Sequence, residues 1–229
     1  MDMLNIWFIR HAQSQANAGE RTADPALIEL TALGREQGIH VAGLFGRAPD
    51  LLVASPYLRA RQTAQFVADK HPKVPLETWP VQEFTYLARQ RCLNTTLAER
   101  IPMAKEYWDL NDPHHVDGQY TESFAGLMGR VADIWGRLLA GYDGKWVVVF
   151  SHAIFIRAAL WHSLCGGDPV SEIGMKRFRS FLRAYSIPNG AVRRARLAVG
   201  RCGRLGGRSC RVVRGVWTCS QPGGVVLKS

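Results

Sequence analysis

The chain lacks several features that would place it in particular classes of protein. It has no run of about 18 consecutive apolar residues, so the sequence predicts no transmembrane helix. It opens with "MDMLNIWFIRH", which carries an acid at position 2 and passes at once into a strand-like run, unlike a signal peptide. None of its five cysteines stands in a C-x-x-C pair, so neither a disulfide framework nor a zinc site is favoured. We therefore expect a reduced, cytoplasmic protein that does not bind membranes.

Acidic residues are absent from the end of the chain. Residues 189–229 hold nine of the 29 Lys and Arg side chains and no Asp or Glu, which leaves 20 basic against 19 acidic residues before them. The net charge of +10 therefore belongs to the tail. Trp217 is the only aromatic residue of this tail, so it lacks the aromatic interleaving of a single-strand binder, and nucleic-acid binding is disfavoured.

The tail also differs in kind from the rest of the chain. From Ala191 onward it is rich in Arg and Gly and contains three of the five cysteines, without a steady alternation of apolar residues. Such a segment buries too little apolar surface to offset its ordering entropy, so we expect residues 191–229 to be poorly ordered. We interpret it as a chance sequence, such as the product of a frame shift in a GC-rich gene. A tail that binds RNA or anionic lipid is the alternative.

The remainder, residues 1–190, alternates strand-like and helix-like patterns. Thr31 and Ser55 are predicted helix N-caps, with Pro56 at the first helical position. This alternation predicts an α/β domain with a mostly parallel central sheet and helices on both faces. Residues 84–145 are read as a helical insertion of two helices over the rim of the sheet. The predicted strands are Leu4–Ile9, Leu51–Ala54, Trp146–Phe150 and Ala184–Ile187.

Three predicted strands end in polar residues. Arg10 and His11 follow the first, Ser55 to Arg59 follow the second, and Ser151 and His152 follow the strand at Trp146–Phe150. The carboxyl ends of parallel strands meet at one rim, where ligands bind. With Glu83 approaching from the side, two His, two Arg and one Glu indicate a phosphate site that needs no metal, because guanidinium groups match phosphate oxygens directly.

Five motifs follow one another along the chain: "RHAQS" at Arg10–Ser14, "LTALGREQ", "SPYLRARQTA", the segment around Glu83 and "FSHAIFIRAAL". In this order they resemble the motifs of the histidine phosphatase superfamily, also called phosphoglycerate mutase-like. The similarity covers about residues 4–190, and the ordered set is specific where any single motif would be weak.

This resemblance implies a phosphohistidine intermediate and a role for each matching residue. No cofactor is implied, and we expect activity to survive EDTA. The implied roles are His11 as nucleophile, Glu83 as proton donor, Arg10, Arg59 and His152 as the phosphate pocket, with His152 protonated beside the dianion, and Asn17 as a further phosphate or substrate contact.

The chain departs from the family pattern at two positions. Ala12 and Ala153 stand where the family usually has Gly after each catalytic His. Loss of a Gly can strain a tight turn, but Ala is the smallest replacement. We expect a changed pocket width and retained activity.

Other candidate residues are given structural readings. His114-His115 lies between Asp-Pro and Asp-Gly, which indicates a surface loop and not a metal site. Ser151 has no G-x-S-x-G elbow around it, so it is read as a strand-end hydrogen-bonding residue. Glu122-Ser123 resembles a helix start, with a substrate contact as the alternative. Arg61 is read as a solvated charge.

The sequence favours hydrolysis of a small phosphorylated substrate. Phosphoglycerate mutase-type transfer is one alternative, for which Arg89, Arg91 and Arg100 of the insertion would supply extra positive charge. A non-catalytic protein that binds anions or nucleic acid through its basic tail is the other. Whether the chain forms a homodimer is left open.

Overall fold

A six-stranded sheet forms the centre of the protein in the part of the chain that the structure describes. The structure is a computed structural model that describes residues 3–165, 170–201 and 211–220, with only the backbone for 198–201 and 211–220. The strand order is β3-β2-β4-β1-β5-β6. The strands are β1 (Met3–Arg10), β2 (Leu51–Ala54), β3 (Leu76–Thr78), β4 (Trp146–Ser151), β5 (Val192–Arg201) and β6 (Arg211–Ser220).

Strands β1 to β4 pair in parallel, whereas β5 is antiparallel to β1 and β6 is antiparallel to β5. The predicted α/β class with a mostly parallel sheet is confirmed. Among the described residues the helices are α1 (Ala32–Gly43), α2 (Leu58–Lys70), α3 (Arg89–Cys92), α4 (Ile101–Leu110), α5 (Phe124–Gly141), α6 (Ala153–Leu164) and α7 (Glu172–Ala184).

Both faces of the sheet are buried, because the central strands are apolar at odd and even positions alike. In β1, Ile6 and Phe8 point into one core cluster with α5, α6 and α7, while Ile9 points into the other with α1 and α2. In β4, Val149 and Phe150 divide in the same way. Parallel strands covered by helices on both sides have this continuous apolar character. None of the helices in the described residues is long and apolar enough to span a membrane.

Of three predicted element boundaries, one is confirmed and two need correction. Thr31 caps α1 as predicted, accepting a hydrogen bond from the Gly34 N–H. Ser55 does not cap α2, which begins at Leu58 with Tyr57 at the N-cap and no side-chain cap bond. The predicted strand Ala184–Ile187 is wrong, since Ala184 is the last residue of α7.

Carbonyls in the last turn of α7 and after it accept hydrogen bonds from arginine side chains instead of a strand partner. Arg157 donates to the carbonyls of Leu182 and Tyr185, and Arg10 donates to that of Ile187. These contacts join residues far apart in the sequence, and a local pattern does not show them. The apolar run at Ala184–Ile187 therefore predicted a strand that does not form.

The insertion at 84–145 contains three helices where two were predicted. The short α3 was missed, and α4 begins at Ile101. The longest, α5, packs on the sheet, where its Trp135 ring lies 5.9 Å from that of Phe8. The cover over the rim is therefore made by α3, α4 and the loops around them.

The sheet continues beyond the predicted domain boundary at residue 190. Strand β5 pairs with β1 from Val192 to Ala198, and β6 pairs with β5 along its length. This differs from the expectation of a poorly ordered tail from Ala191: hydrogen bonding to the edge of β1 orders the backbone without an alternating sequence. Residues 202–210 and 221–229, on which part of that expectation falls, lie outside the described residues, as do Gly166 and Gly167, the predicted stop of α6.

Candidate active site

A cavity of about 550 Å³ opens at the carboxyl ends of β1 and β4. Arg10, His11, Arg59 and Glu83, contributed by three separate segments, line it. His11 and Arg59 are only 3% and 7% exposed. The predicted convergence of strand ends at one rim thus places these four side chains around a common space.

The hydrogen bonds of His11 determine its tautomer. Nδ1 lies 2.7 Å from the carbonyl oxygen of Ala12, and a carbonyl only accepts, so Nδ1 carries the proton. Nε2 accepts a hydrogen bond of 3.1 Å from Nε of Arg59. The lone pair is therefore on Nε2, which is the nitrogen able to attack an electrophile.

Arg59 joins both histidines of the site. Its Nη2 lies 3.0 Å from Nδ1 of His152, and since a guanidinium only donates, Nδ1 is the acceptor. Nε2 of His152, 2.8 Å from Oγ of Ser55, then carries the proton that this hydroxyl accepts. Nη1 of Arg59 donates to the carbonyl of Pro25. One guanidinium thus orients two neutral imidazoles.

Burial keeps these two histidines neutral. Desolvation lowers the pKa of His11 well below its ordinary value, and the positive charges of Arg59 and Arg10 lower it further. The pKa of His152 is lowered in the same direction, first by desolvation and then by Arg59. In this structure Nδ1 of His152 is an acceptor, and its protonation beside a phosphate dianion stays a prediction. Desolvation also lowers the pKa of Arg59 to about 10, which leaves it charged at neutral pH.

Arg10 lines the cavity, and its guanidinium group is only partly engaged by hydrogen bonds within the protein. Its Nη1 donates to the carbonyl of Ile187, whereas its Nε is buried and has no partner among the described residues. A buried donor without a partner is costly.

Glu83 caps the N-terminus of α6. Its Oε1 accepts from the backbone N–H groups of Phe84, Ile154 and Phe155, and its Oε2 accepts only from Ile154. Acidic side chains are stabilised at helix N-termini, where N–H groups have no partner within the helix. Glu83 is thereby fixed beside the cavity, with Oε2 as the less engaged oxygen.

Asn17 lines the same cavity and holds its loop together. Its Oδ1 accepts from the Ser14 backbone and hydroxyl and from Nδ2 of Asn189. Asn189 also donates to the carbonyl of His11, so it joins the nucleophile to the loop at Asn17. Sequence reasoning missed Asn189, which lies 178 positions from His11 and had only the signal of a turn in "IPNG".

The two alanines that replace glycine cause no backbone strain. Neither Ala12 nor Ala153 is among the described non-glycine residues with positive φ. The Ala12 N–H donates to the hydroxyl of Thr63, and Ala153 lines the cavity. Neither position needs a left-handed backbone, and the expected change of pocket width with retained activity stays a prediction.

Other residues occupy structural positions. Ser151 donates to the carbonyl of Val81, as expected of a strand-end residue. Glu122 pairs with Arg130 at 2.6 Å, directly before the N-cap Ser123 of α5, so the helix start is confirmed. Among the described residues no cluster of metal-ligating side chains occurs, at His114-His115 or elsewhere.

Sequence reasoning also missed Tyr57 and Arg157. The Tyr57 ring lies edge-on to His152 at 5.2 Å, with the Arg59 guanidinium 5.1 Å from the ring centroid. Arg157 lines the cavity, and its charge acts on Glu83 and Arg10. Both lie inside two of the five motifs, but the residue types alone do not show which side chains of a motif point into the site.

Fold and site together define an α/β protein whose cavity at the strand ends is lined by histidine and arginine. The sequence matches the family model of the histidine phosphatase superfamily (branch 1) over residues 6–178, and the chain belongs to this superfamily.

Similar proteins agree with this assignment. Phosphoserine phosphatase 1 of Hydrogenobacter thermophilus is 26% identical over 197 residues, which cover 81% of this chain and 93% of that protein. A mycobacterial glucosyl-3-phosphoglycerate phosphatase shares the fold with a TM-score of 0.63 at 22% identity, over 85% of this chain and 91% of that one. Phosphoserine phosphatase from Entamoeba histolytica, in complex with 3-phosphoglyceric acid, has a TM-score of 0.66 at 18% identity, over 95% and 98% of the two chains.

Proposed function

We propose that this protein hydrolyses phosphomonoesters through a phosphohistidine intermediate on His11, with Glu83 as the proton donor. The observation that carries the proposal is the tautomer of His11. The lone pair is on Nε2, where it accepts from Arg59, and His11 lines the same cavity as Arg59 and Glu83. A nucleophile, a fixed cation and a carboxyl group are the parts that phosphoryl transfer from an ester requires.

In the first step, Nε2 of His11 attacks phosphorus in line while the bond from phosphorus to the ester oxygen breaks. Glu83, protonated at Oε2, gives its proton to the leaving oxygen. The N–H groups of α6 still bind Oε1 during this transfer. In the second step, water attacks phosphorus, Glu83 takes its proton, and the P–N electron pair returns to Nε2. The products are the alcohol and inorganic phosphate.

Positive charge for the transferred phosphoryl group comes from guanidinium groups. Arg59 exchanges its contact with His11 Nε2 for the phosphate oxygens, and the guanidinium of Arg10, which lines the cavity, binds them as well. Neutral His152 holds Arg59 in place through Nδ1. Fixed donors aimed at developing charge are a large part of phosphoryl-transfer catalysis.

Hydrolysis is favoured over mutase-type transfer by the arginines of the insertion. Arg91 pairs with Glu106 and Asp117, and Arg100 donates to Thr95 and Thr22. These guanidinium groups bind other residues of the protein, so they are poorly placed to hold a bisphosphate intermediate while it reorients in the site.

The phosphoenzyme tests the proposal. Wild type, mixed rapidly with a 32P-labelled phosphomonoester and quenched in alkali, is expected to carry label that is stable to alkali and lost in acid. His11→Ala should carry none and should lose turnover by at least about 10³-fold, as expected when a covalent nucleophile is removed. His40→Ala, an exposed position on α1, is the matched control and should keep both. Label on His11→Ala would overturn the assignment.

A further inference from the structure

The cavity extends well beyond the space that a phosphate needs. A ligand site of about 550 Å³ accommodates a leaving group of drug-like size. Arg10, His11 and Arg59 occupy the end of this cavity at the strands, so the remaining wall, formed by the insertion, contacts whatever alcohol carries the phosphate. The chemistry of that wall therefore determines which esters fit.

The wall contributed by the insertion is apolar and aromatic. It consists of side chains from the segment after Glu83, from the loop before α4 and from α4 itself: Phe84, Tyr86, Leu87, Leu97, Ile101 and Ala104. Phe84 and Tyr86 form a continuous surface, with ring centroids 5.0 Å apart. Such a surface gains most from contact with carbon.

Part of this apolar wall is exposed to solvent. Leu97 is 45% exposed, Ile101 is 65% exposed, and both line the cavity. Tyr120, also at the cavity, is 90% exposed and has a left-handed backbone with φ of 60°. Strained and exposed apolar residues that gather at one opening are typical of a binding surface.

Charges along the wall are engaged by the protein. Arg89 pairs with Asp24 at 3.2 Å. Arg100 donates to Thr95 and Thr22, and Arg157 uses Nε and Nη1 for three backbone carbonyls. A leaving group that carries a carboxylate would have to compete with these contacts, whereas an apolar group would not.

We infer that the substrates are phosphomonoesters of apolar alcohols, alkyl or aryl, with several carbons in the leaving group. This inference rests on the proposed function. It sets the protein apart from the similar proteins named for phosphoserine and glucosyl-3-phosphoglycerate, whose substrates are polar acids.

A series of esters tests the substrate class. We expect kcat/KM to rise from ethyl to butyl to hexyl phosphate by about fourfold for each added methylene, the value for transfer of one methylene from water to an apolar site. Phosphoserine and 3-phosphoglycerate should react more slowly than hexyl phosphate. A flat series, or a preference for either acid, would overturn the inference.

Two pairs of substitutions connect the preference to this wall. Ile101→Ser and Leu97→Ser are expected to reduce the hexyl-to-ethyl ratio of kcat/KM by about fivefold, because each removes apolar contact area. Leu110→Ser on the same helix and Leu93→Ser before it alter exposed leucines away from the cavity, and should leave the ratio unchanged. Equal ratios in all four variants would contradict the assignment of the wall.

Failure of the substrate class and failure of the proposed function give different results. If His11 becomes labelled and phosphoserine is the best ester, the proposed function stands and the substrate class is wrong. If no ester is hydrolysed and no label appears on His11, both are wrong.

Discussion

Glu83 has two tasks that place opposite demands on one carboxyl group. As the cap of α6 it accepts hydrogen bonds at Oε1 from the backbone N–H groups of Ile154 and Phe155, so this oxygen cannot carry a proton. As a proton donor it must carry a proton when the ester arrives. The unequal engagement of its two oxygens reconciles the tasks, because Oε1 holds the helix while Oε2 exchanges the proton.

Glu83→Gln separates these tasks, since the amide oxygen still accepts from α6 but the side chain transfers no proton. In single-turnover experiments, phosphorylation of His11 by an alkyl phosphate should slow by about 10²- to 10⁴-fold. Phosphorylation by 4-nitrophenyl phosphate should slow far less, because its leaving group departs without a proton. Equal losses for the two esters would show that Glu83 acts only as a cap.

At the scale of elements, the loop that carries the nucleophile is held by the start of α1. Thr31 caps the helix, and its backbone N–H donates to the carbonyl of Gln13, two residues after His11. Gly34 lies so close to this loop that an added Cβ would meet the Gln13 oxygen at 2.0 Å. The glycine of "LTALG" is thus required for close approach of helix and loop.

Gly34→Ala should therefore destabilise the protein, by about 1–3 kcal/mol as in other overpacked sites, and should lower kcat by displacing the loop at His11. Gly43→Ala in the same helix has no atom within 4 Å of the new Cβ and is the control, with stability unchanged or raised by up to about 1 kcal/mol. Urea unfolding and kcat measure both effects. Equal behaviour of the two variants would show that the close approach has no consequence.

Strand β5 joins the tail to the domain, whereas the site lies before it. Each candidate site residue precedes Val192, and the pairing of β1 with β5 runs from Ile9 to Met3. A chain that ends after Arg201 keeps that pairing.

We expect this truncated chain to retain kcat and KM within about twofold, as for removal of a segment that contacts no reacting group. Steady-state kinetics on hexyl phosphate and a thermal melt measure the outcome. A collapse of turnover would show that residues after Arg201 support the site, and would disprove the interpretation of the tail as a chance extension.

For the molecule as a whole, the buried histidines make stability depend on pH. In the folded state the pKa values of His11 and His152 lie well below 6.5, because burial and Arg59 disfavour their charged forms. In the unfolded chain they take up protons near pH 6.5. Below that pH the unfolded state binds more protons, so folding stability falls as pH falls.

The free energy of unfolding should therefore decrease from pH 7.5 to pH 5.5, by up to about 1.4 kcal/mol per pH unit below 6.5 for each of the two histidines. Urea unfolding at several pH values measures the slope. In His11→Ala the slope should be shallower, since one of the two groups is gone. An unchanged slope would mean that His11 is protonated in the folded state.

The sequence by itself determined the central strands, the helices that follow β1 and β2, and the rim where Arg10, His11 and Arg59 meet. These features depend on local patterns: continuous apolar runs, Thr31 as a cap, and the rule that parallel strands share a carboxyl edge. Such information is carried by residues within a few positions of one another.

Only the tertiary structure decided which nitrogen of His11 carries no proton, that Ser55 accepts a hydrogen bond from His152, and that Asn189 binds the loop of the nucleophile. It also decided the antiparallel direction and the length of β5, which pairs with β1 as far as Ala198. The tautomer of His11 depends on Arg59, 48 positions away, and each of the others depends on contacts between residues about a hundred positions apart or more. Hydrogen-bond direction and edge pairing are set by where distant segments come to lie, and a local pattern does not contain that position.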